Sequence, residues 1–197
     1  FLATDKTLAR FGRDTLQRDA KAAVVETNAH FAASKLPIVF EYATLERYAG
    51  VLDEASASLT DLHIAATAPN QYSQGWVEGN YDALLEFRAR NAVNLAVLLA
   101  TPANSGAYGV TDRGFDSFEF SSFLIALDAG KTEGLTTVAA PTLTHEIGHT
   151  LSQRHGVTQD LEPYGLDADP EAVIRYRLST NFAYGSGALI QDASGAG

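Results

Sequence analysis

His145, Glu146, His149 and His155 fall within one eleven-residue window, His-Glu-Ile-Gly-His-Thr-Leu-Ser-Gln-Arg-His, which holds three of the five histidines in the chain. On a helix, His145 and His149 stand one turn apart on one face, so both imidazoles can reach a single ion. Imidazole suits zinc, and two ligands on a rigid helix leave room for a third from elsewhere. Glu146 is offset from His145 by about 100° around the axis. It points beside the ion rather than at it, where a carboxylate can take a proton from a zinc-bound water. A helix continued through His155 would carry that ring away from the shared face. The chain must leave the helix after one more turn and bend back, and His155 then completes a three-nitrogen site. Its fourth position stays open, the mark of a catalytic rather than a structural zinc. The bland alternative is a set of surface or core histidines on an ordinary helix. A third histidine six residues beyond the second, with Gly156 directly after it, favours the metal. His30 and His63 are isolated and read as solvated or core-satisfied rings.

The elements that must position this window read as follows. Pro141 suits the first residue of a helix, where its missing N–H costs nothing. Thr142 to Gln153 then holds no breaker except Gly148, and Gly156 follows where a helix stops. Upstream, Asp5 to Ala33 predicts helix with a break at Gly12, and Pro37 ends it. Ile38 to Tyr42 alternates as a strand does, Leu45 to Leu59 is a weaker helical stretch, and Leu62 to Ala66 is a short strand candidate. Residues 69–80 are loop by composition. Tyr81 to Ala89 predicts helix, Val93 to Ala100 and Phe123 to Leu127 predict buried strands, and the stretch between these strands is punctuated by glycine. Residues 158–172 read as an acidic, Pro-containing loop, and Val173 to Tyr184 leads into a Gly/Ser-rich end. This mixed order predicts a single α/β or α+β domain over residues 1–197.

Composition narrows the function classes. At 197 residues the chain can bury a core without staples. Its 46% hydrophobic and 19% charged residues are globular in balance. A net charge of −10, with 14 scattered basic residues, argues against a nucleic-acid partner. No apolar run approaches a membrane span. The absence of Cys excludes a disulfide framework and thiolate zinc sites. The start at Phe1, with no signal-like segment, reads as processed or trimmed, and a secreted or extracytoplasmic location is expected. Calcium would suit the carboxylates of Asp160, Glu162, Asp167 and Asp169, but their spacing matches no calcium loop, so they read as a solvated acidic stretch. Gly106 to Gly114 lacks the Lys and following helix of a phosphate loop, and Ser179 carries no sign of a serine triad.

The window from His145 to His155 resembles the signature of the metzincin clan of zinc endopeptidases, HExxHxxGxxH. Thr142-Leu143-Thr144 is similar to pappalysin-like members, and residues 94–97, 106–109 and 123–125 loosely follow the clan's strand order. The likeness is specific over the eleven-residue window and suggestive over about ninety residues; the first eighty contribute nothing. It implies a zincin-like fold, with a mixed sheet and active-site helix in an upper part (about 1–155) and an irregular C-terminal subdomain (about 156–197). It also implies one catalytic Zn2+ on His145, His149 and His155, a protein or peptide substrate, and hydrolysis with Glu146 as general base. Two positions depart from the pattern. Ser152 stands where the clan has the glycine that eases the turn out of the helix. The clan's downstream turn contains Met and ends in Tyr, whereas this chain has no Met and reads Asn181-Phe182-Ala183-Tyr184. A methionine missing between Phe182 and Ala183 would restore the pattern; the alternative is an aromatic floor made by Phe182. The likeness places Tyr184 two residues beyond the apex, where some members use a tyrosine to stabilise the oxyanion. Two rival readings remain at this level. One is a zincin of another class with Glu162 or Glu171 as third ligand, and the other is a zinc-binding module without hydrolytic activity.

Overall fold

The computed structural model describes residues 1–104, 106–111, 124–131 and 136–150. His155, Tyr184, Ser152, the Phe182–Ala183 junction, the acidic stretch from Asp160 to Asp169, and the whole proposed lower part lie outside the described residues.

Among the described residues five strands form one mixed sheet in the order β2-β1-β3-β5-β4. They are β1 (Leu2–Ala3), β2 (Glu46–Arg47), β3 (Ala96–Ala100), β4 (Gly109–Thr111) and β5 (Leu124–Asp128). β1 lies parallel to both β2 and β3, and β3 lies parallel to β5. β4 alone runs antiparallel, pairing Gly109 with Leu127 and Thr111 with Ile125. β3 and β5 are buried throughout, as strands covered on both faces must be.

Their period-two alternation sorts the core. Val97, Leu99, Ile125 and Leu127 face a cluster completed by α2 (Arg13–Ala33) and α5 (Ala140–Thr150). Leu98, Leu124, Ala100 and Ala126 face the opposite clusters, which draw on α3 (Leu59–Thr67) and α4 (Asn80–Asn91). The result is three layers, helices on both faces of the sheet. Each fully buried Leu in them contributes about 1.5–3 kcal/mol relative to exposure. None of the described helices is long and apolar enough to cross a membrane.

The expected helix over 5–33 is present as α1 (Asp5–Phe11) and α2, divided at Gly12. Gly12 has φ of 78°, a conformation that side-chain-bearing residues adopt at a cost. The helix over 81–89 and the strands over 93–100 and 123–127 are also found, with shifted ends, and the helix expected to open at Pro141 begins at Ala140; its expected end at Gln153 lies outside the described residues.

Three elements differ from expectation. Leu62 to Ala66 is helix, not strand. Ser58 caps α3 by accepting from the Asp61 amide while the Asp61 carboxylate accepts from the Ser58 amide, and this reciprocal cap starts the helix. Of the stretch from Leu45 to Leu59, only Leu59, the first residue of α3, is helical. The stretch's backbone is taken by β1 at one end and by Asn80 further on, whose side chain accepts from the Val51 amide at 2.6 Å and donates to Val51 O at 2.8 Å. Ile38 to Tyr42 alternates as expected, with Ile38, Phe40 and Tyr42 against the core and Val39 77% exposed. Among the described residues no strand pairs with it. Asn28 on α2 serves instead, donating to Phe40 O and accepting from Phe40 N, both at 2.8 Å.

Candidate metal centre

α5 splits its residues between two environments. Leu143 and Ile147 enter the core, while Thr142, Glu146 and His149 are buried on a second face directed at β4. Two tethers to α2 set the helix. The Asp19 carboxylate accepts from the Thr137 amide at 2.8 Å and the Thr137 hydroxyl at 2.9 Å, fixing the chain as it enters α5. One turn into the helix, Thr144 Oγ1 sits 2.8 Å from Ala140 O and 3.1 Å from both Thr27 Oγ1 and His30 Nδ1. Burial pushes the Asp19 carboxyl up, but the bonds from Thr137 and from Arg18 outweigh it and leave the group below its ordinary range.

With the helix so placed, Nε2 of His145 and Nε2 of His149 lie 3.0 Å apart, their rings nearly perpendicular at 85°. Two imidazole nitrogens bound tetrahedrally to one zinc at about 2.0–2.1 Å would stand roughly 3.3 Å apart. The pair therefore fits a shared ion with little adjustment. Partial burial, and then repulsion from a protonated His149, hold the His145 imidazole below its ordinary value, which keeps it in the neutral form that ligates.

Glu146 is 5% exposed, and burial pushes its carboxyl up to about 7. Its wall is β4. A Cβ built on Gly109 would stand 2.7 Å from both Cγ and Oε1 of Glu146 and 2.8 Å from Cγ2 of Thr142. Between β4 and α5 opens a cleft of about 620 Å³, lined by residues 107–111 and by Thr142, His145, Glu146 and His149. Among the described residues β4 has β5 as its only strand partner and so forms the edge of the sheet along this cleft.

Of the residues singled out from sequence, the structure brings together His145, Glu146 and His149. Among the described residues no group of three or more potential ligands forms, and the expected third, His155, is not among them. His63 is a core-satisfied ring, 1% exposed with Nε2 3.1 Å from Leu124 O, and His30 bonds Thr144. Sequence reasoning missed Gly109, Asp19 and Thr137. Gly109 lay in a stretch noted for its glycines and for a loose likeness in strand order, with no role given to the residue itself, and the Asp19–Thr137 contact has no local signature.

No family model matches the chain, and no curated protein does. Among solved structures, a chain described as "Structure of a chaperone-substrate complex" superposes with a TM-score of 0.56 at 14% identity, covering 78% of this chain. The match takes in 25% of that chain, so the present sequence spans a small part of its length. The likeness is one of fold.

Proposed function

We propose that the chain is a zinc-dependent endopeptidase with a zincin-like fold, in the manner of the metzincin clan. The observation that carries the reading is the convergence of His145 Nε2 and His149 Nε2 at 3.0 Å, with a buried carboxylate next in sequence at the wall of an open cleft. A purely structural zinc has no need of such a base. His145 and His149 would hold the ion, with His155 proposed as third ligand. When bound, zinc supplies Lewis-acid polarisation of the peptide carbonyl and makes a neighbouring water more acidic.

This chain's residues do the rest. The Glu146 carboxylate accepts the proton of the attacking water, which adds to the carbonyl carbon, and the same group then delivers that proton to the departing amine. The position of β4 suits an extended peptide, which would add to the side that none of the described strands occupies, through main-chain hydrogen bonds, and so cross the cleft above α5. Tyr184 is proposed to stabilise the oxyanion, and an extracytoplasmic location is part of the same reading.

The test measures zinc content and turnover of unfolded, fluorescein-labelled casein, with and without a chelator. One zinc per chain and chelator-sensitive cleavage support the reading. Bound zinc with no cleavage leaves the non-hydrolytic zinc module, and His155→Ala retaining its zinc would favour a downstream carboxylate as third ligand.

A further inference from the structure

Gly109 of β4 packs against Glu146 and Thr142 of α5, and its φ is an ordinary one, so the strand's own conformation does not call for glycine there. What calls for it is space. A Cβ would strike Glu146 at two atoms and Thr142 at one, all inside 3.0 Å, closer than real Cβ atoms approach. Neither backbone is free to yield. β4 is held by pairing of Gly109 with Leu127, by the Asp128 amide donating to Tyr108 O at 2.9 Å, and by Thr111 Oγ1 donating to Leu124 O at 3.0 Å. α5 is held by Asp19 through Thr137 and by Leu143 and Ile147 in the core. The group that can move is the Glu146 side chain, whose struck atoms, Cγ and Oε1, lie beyond Cβ on rotatable bonds.

We propose that Gly109 is the positioning residue for Glu146: by lacking a side chain it lets the edge strand close on the carboxylate and fix its direction along the cleft. The inference rests on the endopeptidase reading of Glu146 for its catalytic consequence, and on packing alone for its structural one. Alanine at 109 swings the carboxylate away from the attacking water while leaving the histidines, the cleft and the strand pairing in place. Misplacement by about 1 Å costs on the order of 100-fold in rate.

The experiment uses the full chain loaded with zinc and labelled, unfolded casein as probe. G109A is expected to keep one zinc per chain and a KM near that of the wild type, while kcat falls on the order of 100-fold. In G109A/T142S the methyl clash is gone and the Glu146 clash remains, so the loss of kcat persists. A wild-type kcat in G109A overturns the proposal, and so does recovery of kcat in G109A/T142S. Melting temperatures of the zinc-free proteins form a second arm that needs no activity. G109A lowers Tm when residue 146 is Glu and does so less, or not at all, in the E146A background, where the struck atoms are absent. An equal drop in both backgrounds overturns the proposal. Lack of casein cleavage by the wild type would fall on the endopeptidase reading, and the melting cycle would still decide whether Gly109 sets Glu146.

Discussion

Asp19 on α2 accepts two hydrogen bonds from Thr137, 118 residues further along the chain, and both end on the same carboxylate oxygen. The contact ties α2 to the segment that leads into the helix bearing His145, Glu146 and His149. Asp19 is 3% exposed, so the Thr137 amide has no water to turn to if the carboxylate is lost. Asp19→Ala is expected to cost about 1–3 kcal/mol at neutral pH. The sign with pH follows from a carboxyl held below its ordinary value of 3.8. Its contribution is complete above that value and is lost as pH falls through the lower, folded one. Urea titrations of both proteins at pH 7 and pH 3 should show the gap narrowing at the acid end.

On the endopeptidase reading, Glu146→Gln should retain zinc and lose several orders of magnitude in casein hydrolysis, because that reading makes Glu146 the base and not a ligand. Cleavage at the wild-type rate would remove Glu146 from the mechanism, and loss of zinc would make it a ligand.

The same substitution has an opposite effect on stability in the zinc-free protein. Burial lifts the Glu146 carboxyl from 4.5 to about 7, so the ionised form is disfavoured in the fold. That cost is absent below the unfolded value, grows as pH rises between the two, and is constant above about 7. Gln carries none of it. Metal-free E146Q should therefore gain on the wild type between pH 4 and pH 8, by up to about 3 kcal/mol, as read from denaturant midpoints.

His145→Ala and His149→Ala are each expected to weaken zinc binding by more than the roughly 10–100-fold that follows loss of an outer-shell partner. Competition with a zinc-sensing dye measures this. An unchanged affinity in either variant would place the ion elsewhere.

Asn28→Ala strips Phe40 of partners for both its N–H and its C=O. A loss of about 1–3 kcal/mol is expected. Amide exchange should rise at Phe40 while β3 and β5 keep their protection.

Sequence carried the part of the site that depends on local spacing. One turn of helix puts His145 over His149 and sets Glu146 aside, and no tertiary contact is needed to see it. Val93 to Ala100 and Phe123 to Leu127 were legible for a related reason, since strands covered on both faces must be apolar throughout. Leu62 to Ala66 misled because a short apolar run suits either period; the deciding signal, Ser58 with Asp61 three residues on, was present in the sequence and local. Ile38 to Tyr42 showed the right alternation, but alternation reports which side faces the core, not what satisfies the backbone, and here a single Asn does. Gly109 was beyond reach. Its meaning lies in the distance to a carboxylate on another element, which no spacing rule encodes.

β1 is two residues long, yet it lies between β2 and β3, with Leu2 opposite Glu46 on one side and Leu98 on the other. Both partners are far along the chain, so chain entropy must be surrendered across long loops before either pairing returns anything. Topology of this kind slows folding relative to helical bundles of similar stability. Until β3 has formed, β2 and β1 together amount to a two-residue ladder, too small to persist alone. Acquisition of the native sheet should therefore be a late, concerted event in which β1 is captured between its neighbours, and truncation or tagging at that strand would disturb the rate of folding more than a comparable change on the exposed faces of α4.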